Sequence, residues 1–493
     1  MKPADLANEM APTAKAMAPP VAASMAADRY RAVRFGRLAI LVATDFIALL
    51  FSGFSAYLLW ALPMKEQPIG IYLGLAPLLS LFILGYAQAG LYPGFGLGPV
   101  ETLRRLSYVT GFGYLVLAAF SFALKLDPLY SRATFAIALG LSLGALPLGR
   151  SLVSDIARNW TWWNEPVVVV GTGDRAARAI RSIQESPHLG YRPVAVLASG
   201  PRAIGSDVAG VPVCGGLDDA RALAARGITV ALVETDQRLD LATVDRLQKD
   251  FHRVVLLREY DDLPVEGIQI RNLGGLVGIE YTNNLLLHGN RVAKRALDVV
   301  VGSLLLVLTA PVLLVAVVLV KLLDGGPVFF TQRRSGLDGQ PFDVPKIRTM
   351  RVDAEQRLED HLSADPALRE EWQATYKLKS DPRLIPFVGR LFRRFSVDEL
   401  PQLGTVVQGR MSLVGPRPFP DYHLTQFPAP FLELRRRVRP GITGLWQITV
   451  RSEGGIEKQQ AYDTYYIRNW SVWLDIYVLS RTIAAVASGR GAY

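Results

Sequence analysis

Four apolar blocks crowd the first third of the chain: Leu38–Leu62, interrupted only by Asp45, then Ile71–Leu91, Leu106–Leu124 and Ala133–Gly149. A helix of about 20 apolar residues crosses the ~30 Å hydrocarbon core of a bilayer, and the first three blocks reach that length while the fourth does so with help from its ends. Charged residues make up 20% of the chain, below the roughly 25% of soluble proteins, so a wholly soluble reading is strained. Arg29, Arg31, Arg34 and Arg37 precede the first block, Arg104 and Arg105 lie between the second and third, and Arg150 and Arg158 follow the fourth. The bias of basic residues toward the cytoplasmic side therefore puts both ends of this region in the cytoplasm. Residues 1–34, rich in Ala, Pro and Met, read as a disordered cytosolic tail, and 35–160 as a four-helix transmembrane bundle.

From Glu165 the texture becomes that of an α/β unit, taken as 161–290. Strand-like runs at Pro166–Val170, Val194–Ala198, Ile228–Val233 and Arg253–Leu257 alternate with helical patterns at Asp218–Arg226 and Leu241–Phe251. That order predicts a small Rossmann-like, doubly wound sheet. Gly171-Thr-Gly-Asp-Arg-Ala176 follows the first strand as a dinucleotide fingerprint would. The acid that should end the second strand and hold ribose hydroxyls is missing, since the sequence there is Leu197-Ala-Ser-Gly-Pro. A nucleotide site and a plain strand–helix turn both stay open.

Between Asp298 and Lys321 lie 22 uncharged residues. A crossing helix would export everything after Lys321, which is basic and rich in phosphate-oriented motifs. Pro311, near the middle, removes a backbone bond. The expectation is a re-entrant helix over 297–323 that breaks at Pro311 and returns to the same face, with a continuous fifth span as the alternative.

The remainder, 321–493, holds 25 Lys and Arg against 19 Asp and Glu, most of the chain's net charge of +10. It shows no aromatic–basic alternation of a nucleic-acid module, so discrete phosphates are the expected partner. Asp398 and Glu399 are adjacent carboxylates bracketed by Arg393, Arg394 and Arg417. Such a pair can bind a hard cation while guanidinium groups clamp phosphate oxygens. An aspartate so placed can attack phosphorus and form an acyl phosphate. The same Ser396-x-x-Glu399 spacing also fits a helix capping box, so a purely structural role stays open. Pro416-Arg417-Pro418 stiffens the presentation of one guanidinium. Lys346 and Arg348 alternate, as two residues on one face of a strand would. Arg435–Arg437 with Arg439 read as a surface for anionic headgroups. Trp470, Trp473, Tyr465, Tyr466 and Tyr477 read as an interfacial belt, with ordinary core as the alternative. A single cysteine, Cys214, and five scattered histidines exclude an internal disulfide and a thiolate or histidine-built metal site. A divalent ion would rest on carboxylates, as magnesium or manganese does.

The string SVDELPQ…GRMSLVGPRP…RPGITGLWQ over about 294–493 resembles the bacterial sugar transferase family, the polyprenyl-phosphate hexose-1-phosphate transferases. With four spans and a Rossmann-like unit ahead of it, nearly the whole chain resembles the large members of the undecaprenyl-phosphate galactose phosphotransferase type. The resemblance implies an integral membrane enzyme whose α/β catalytic domain, 291–493, carries a re-entrant helix. It implies a multi-pass protein of the bacterial inner membrane, with its active site at the cytoplasmic face. The implied reaction moves hexose-1-phosphate, galactose-1-phosphate first and glucose-1-phosphate as the alternative, from a UDP-hexose to undecaprenyl phosphate, releasing UMP. This would be the first membrane step of exopolysaccharide, capsule or O-antigen synthesis. Asp398 would be the nucleophile. Glu399 and Asp463 would hold Mg2+ (or Mn2+), Lys346, Arg348, Arg394 and Arg417 would face phosphate, and Pro311 would break the re-entrant helix. Inner-membrane lipids are further partners, and a homodimer is admitted. Ala310, Ile347, Thr405 and Arg410 depart from the family's usual Ser, Phe, Asn and acid.

Two rivals are weaker. A nucleotide-sugar dehydratase uses a Tyr-x-x-x-Lys pair, and no tyrosine here has lysine four residues later. A non-catalytic scaffold for polysaccharide assembly needs no carboxylate pair inside an arginine cluster.

Overall fold

The structure, a computed structural model, describes residues 20–123, 130–157, 160, 162–198, 205–234, 241–257, 268–273, 276–281, 284, 287–364, 381, 383–449 and 455–488. The chain divides into two compact units, Met1–Asp261 and Asp262–Tyr493.

In the first unit, helix α1 (Pro20–Ala56) runs on through a π-helical turn, Tyr57–Ala61. It begins upstream of Phe35, so the expected disordered tail is helical over 20–34; residues 1–19 lie outside the described part. Helices α2 (Leu79–Gln88), α3 (Pro99–Ala123) and α4 (Arg132–Ala157) follow. Four segments here, Phe35–Met64, Ile69–Gln88, Pro99–Phe122 and Arg132–Ala157, are long and apolar enough to cross a membrane. Their inward faces share one apolar cluster, including Leu49, Phe82, Tyr86, Leu106, Tyr114 and Leu146. The one charge inside the first apolar block is fully paired: Asp45, wholly buried, accepts from Arg150 Nε at 2.9 Å and from the Tyr92 hydroxyl at 2.5 Å. An unpaired carboxylate at that depth would be costly, and this pairing ties α1 to α4.

Six strands form the sheet of the same unit: β1 (Glu165–Val170), β2 (Tyr191–Ala198), β3 (Asp207–Val208), β4 (Val211–Gly216), β5 (Val230–Glu234) and β6 (Arg253–Leu257). The order is β3-β4-β2-β1-β5-β6, parallel throughout except for the β3–β4 pair, which the sequence did not signal. After Glu165, strand β1 is apolar because both faces are covered: Val167 and Val169 enter one core, Val168 and Val170 the other. Gly171, at φ +132°, begins the turn into α5 (Asp174–Glu185). A Cβ there would collide with the Glu234 carboxylate, so the acid missing after β2 stands instead at the end of β5, against the glycine turn.

The second unit contains the β7–β8 hairpin (Ile268–Leu273, Leu276–Tyr281) and α6 (His288–Asp324). Then come the β9–β10 hairpin (Phe329–Ser335, Pro341–Ile347), α7 (Val388–Arg394) and α8 (Gln402–Gln408). A short parallel pair, β11 (Ser412–Val414) with β12 (Gly441–Thr443), brackets α9 (Ala429–Arg436). Helices α10 (Ile456–Arg468) and α11 (Val472–Ser488) complete it. The expected interruption at Pro311 is not present: α6 is helical over 37 residues with Pro311 inside it. Proline removes one hydrogen bond, but its fixed φ is itself helical, so the backbone can continue. The apolar character of 299–320 makes α6 a fifth helix long enough to cross.

Candidate active site

Helix α6 sets the base of the site. Asp298 accepts from Ser412 Oγ and Leu413 N, both at 2.9 Å, and so grips β11. One turn earlier Lys294 Nζ donates to Asp475 Oδ2 at 2.7 Å and to the Val414 carbonyl at 3.0 Å. The Tyr466 hydroxyl donates to the Asp475 carboxylate at 2.7 Å, and Trp470 Nε1 donates to its other oxygen at 3.2 Å. Burial pushes the Asp475 carboxyl up, with Lys294 opposing. Tyr466 and Trp470 are thus buried core around a paired charge, which replaces the belt reading for these two.

The glycines of GRMSLVGPRP and RPGITG have a steric cause. A Cβ on Gly441 would stand 2.1 Å from Gly415 N, and one on Gly444 would stand 2.5 Å from Gly415 O. Only bare backbone allows this approach, which is locked by Gly415 N–H to Thr443 O and Gly441 N–H to Pro416 O, each 2.9 Å. The chain leaves this junction at Pro416, and Arg417 is projected between two prolines.

Arg417 Nη2 donates to Glu399 Oε1 at 3.0 Å, and Lys346 Nζ, from the end of β10, donates to the same oxygen at 2.8 Å. Asp398 and Glu399 lie on a 3-10 turn, Val397–Glu399, whose preceding residue Ser396 is left-handed at φ 54°. Ser396 makes no side-chain cap, so the capping-box role is absent and both carboxylates are available. Burial raises the Glu399 carboxyl, but Arg417 and Lys346 outweigh it and hold it down to about 2. Burial and the Glu399 charge push Asp398 up to about 6, against Lys346 and Arg393. Neighbouring acids split this way are suited to different tasks: one fixed anion, and one carboxylate basic enough to attack yet ionised at neutral pH.

The other expected residues make different contacts. Arg348 does not share the face of Lys346. It lies beyond the strand's end, paired with Asp324 and donating to the Pro327 carbonyl at 2.6 Å, and only its buried Nη2 lacks a partner. Arg394 is exposed and stacks over the Phe395 ring at 5.5 Å. The guanidinium whose charge Asp398 feels is Arg393, which donates to Thr349 Oγ1 at 3.0 Å.

Asp463 is buried and accepts from Arg435 Nη1 at 2.9 Å. Arg435 also donates to the Arg417 carbonyl, so Asp463 reaches the site through Arg435. Arg435 is therefore interior, not lipid-facing; its place one turn after buried Phe431 on α9 was the available signal. Pro311 lies mid-helix in α6, outside this cluster.

Oxygen donors for a hard cation are present. Both side-chain hydrogen bonds of Glu399 fall on Oε1, which leaves Oε2 as an oxygen donor, and magnesium commonly takes one or two carboxylates plus substrate phosphates. Among the described residues no three His, Cys, Asp or Glu gather as a complete protein cage.

Sequence comparison places these features in a wider set. The family model described as "Bacterial sugar transferase" matches residues 289–489, and one described as "CoA-binding domain" matches 90–233. The "UDP-galactose-lipid carrier transferase" of Erwinia amylovora is 31% identical over 358 residues, 72% of this chain and 74% of that one. The "UDP-glucose:undecaprenyl-phosphate glucose-1-phosphate transferase" of Escherichia coli is 33% identical over 342 residues, 67% and 70% of the two chains. The "Exopolysaccharide production protein ExoY" of Rhizobium meliloti is 43% identical over 202 residues, 41% of this chain and 88% of that one.

Proposed function

The chain belongs to the bacterial sugar transferase family and is a sugar-phosphate transferase, and from that premise we propose that it moves hexose-1-phosphate from a UDP-hexose to undecaprenyl phosphate. The observation that carries this reading is the split carboxylate pair, with Glu399 bonded by Lys346 and Arg417 and Asp398 left as the raised, unbridged neighbour.

In the first half-reaction an Asp398 oxygen attacks the sugar-bearing phosphorus of the donor. The bond from that phosphorus to the UMP oxygen breaks, UMP leaves, and a sugar-phosphoryl aspartate remains. In the second half an oxygen of undecaprenyl phosphate attacks the same phosphorus, freeing Asp398 and leaving a diphosphate-linked lipid. Arg417 and Lys346 hold Glu399 in place and supply cationic donors for phosphate oxygens. Glu399 would hold Mg2+, and the ion would offset the charge that develops on the phosphate of the leaving UMP. Asp463, bound to Arg435, acts in this reading by positioning Arg417 instead of holding the metal.

Galactose is favoured over glucose by the resemblance to the large galactose-type members. The Erwinia amylovora relative's name agrees, while the Escherichia coli relative's names glucose. A cytoplasmic active site is supported by where the two halves of the unbroken α6 pack. Gly302 in its first half lies 3.4–3.9 Å, by a notional Cβ, from Val406, Val407 and Leu413. Ala316 and Val320 in its second half pack with Ile347, Ile385, Val388 and Phe392 of the same compact unit. The stretch between, with Val307, Leu308 and Val312 exposed, is left for lipid. Release of UMP from a panel of UDP-sugars, with and without undecaprenyl phosphate, tests the reading. UDP-galactose should give the fastest lipid-dependent release, and no release from any UDP-hexose would refute it.

A further inference from the structure

One residue before Arg417, Pro416 forms part of the wall of a cavity of about 340 Å³, at the small end of the range for ligand pockets. Ser335 at the end of β9, Leu424, and Leu432, Arg435 and Arg436 of α9 line it as well. The walls are held in place. Arg435, buried, donates to Asp463 Oδ2 at 2.9 Å and to the Arg417 carbonyl, and its guanidinium lies 4.4 Å from the centre of the Phe419 ring. The Ser335 N–H donates to the Phe419 carbonyl at 3.3 Å, which seats the end of β9 on the segment after Arg417. Leu424 and Leu432 pack on the Phe419, Phe427 and Phe431 cluster. Cavity and carboxylate pair therefore meet at a single residue: the Arg417 side chain reaches Glu399, while its carbonyl is held by an arginine of the cavity wall.

The lining selects the chemistry of an occupant. Apolar faces with hydrogen-bond donors beside them suit a flat, neutral heterocycle that carries carbonyl acceptors. A hexose has hydroxyls all round, and Pro416, Leu424 and Leu432 would leave some of them buried without partners. The Arg435 charge is already answered by Asp463, so this wall does not call for an anion. The volume favours one ring over two. We propose that this cavity holds the uracil ring of the UDP-hexose against Pro416, Leu424 and Leu432, with Ser335 and Arg436 donating to its carbonyl oxygens. The inference rests on the proposed function and adds the part of the site that reads the nucleoside. It also sets the direction of the donor: base on the Pro416 side of Arg417, diphosphate along the Arg417 guanidinium, sugar-bearing phosphorus at Asp398. The rival place for a nucleotide is the glycine turn after β1. There the Glu234 carboxylate lies against Gly171, where it would repel a diphosphate.

Photolabelling tests the assignment by binding alone. The full chain in detergent is irradiated with radiolabelled 5-azido-UMP and digested. The labelled peptides should contain Ser335, Leu424 or Leu432, and excess UMP should suppress the label. Leu424→Trp fills the cavity and should cut labelling about tenfold and raise KM for the UDP-hexose by about the same factor, with kcat changed less than about twofold, because the contact is common to ground and transition states. Ser335→Ala, a milder change that keeps the wall intact, should raise KM several-fold. Label confined to other segments such as 171–174, label that excess UMP does not suppress, or an unchanged KM in both variants would overturn the proposal. Those results leave the proposed function standing wherever a UDP-hexose still releases UMP; its own failure is the absence of that release.

Discussion

The guanidinium of Arg417 bonds Glu399 and not its neighbour Asp398: Nη2 stands 3.0 Å from Oε1. Lys346 joins it on the same oxygen, so two cations concentrate on one acid of an adjacent pair. Had they bridged the two carboxylates, both would be held as spectator anions. Concentrated on Glu399, they leave Asp398 ionisable near neutrality, which a phosphorus-attacking carboxylate requires.

This asymmetry fixes a pH profile. Asp398 attacks only when deprotonated, and burial beside the Glu399 charge raises it to about 6. UMP release should therefore rise as pH passes upward through about 6, and fall roughly tenfold from the plateau by one unit below that midpoint. Lys346→Met removes a cation that opposes the rise, so the midpoint should move to higher pH. Initial rates of UMP release between pH 5 and 8 check both shifts.

Glu399 and Asp463 should respond differently to magnesium. Glu399→Gln should lower turnover by at least ~100-fold, with partial recovery at raised Mg2+, since the side chain is proposed to hold the ion. Asp463→Asn weakens the pairing with Arg435 and should raise KM for the UDP-sugar, with no recovery by added Mg2+. Magnesium titrations of the two variants separate the roles, and recovery of Asp463→Asn would return that residue to the metal site.

The glycine junction gives a stability prediction. Gly441→Ala places a methyl 2.1 Å from Gly415 N and should cost about 3 kcal/mol by overpacking. Gly404→Ala, inside α8 with open space around it, should instead be neutral or stabilising by up to about 1 kcal/mol. Thermal unfolding of the two variants in detergent compares them directly.

What the sequence made legible follows from the range of the interactions involved. The apolar spans and the strands of the sheet are written in local periodicity, and β1, β2, β5 and β6 stand within a few residues of their expected places. Asp398 and Glu399 were visible because they are adjacent. Arg435 was misread because its partners, Asp463 and the Arg417 carbonyl, lie 28 and 18 residues away, and a run of three arginines looks the same in water as half-buried. Arg348 was grouped with Lys346 by alternation, but the strand ends at Ile347 and Asp324 captures the side chain. Lys294 and Asp475, 181 residues apart, carry no local signal at all.

Topology can be read in cells. With Cys214→Ala and Gln340→Cys, a cytoplasmic active site predicts no reaction with a membrane-impermeant thiol reagent in intact cells and full reaction after lysis. Labelling of the Gln340→Cys chain before lysis would place the active site outside.

The central claim is that Asp398 carries the sugar phosphate between two half-reactions, and exchange of labelled UMP into UDP-sugar without any lipid acceptor tests it most directly. A covalent intermediate makes the first half reversible on its own, so the wild-type chain should exchange, and Asp398→Asn, which cannot form the acyl phosphate, should exchange slower by orders of magnitude. No exchange in the wild type, or exchange undiminished in Asp398→Asn, would contradict the account.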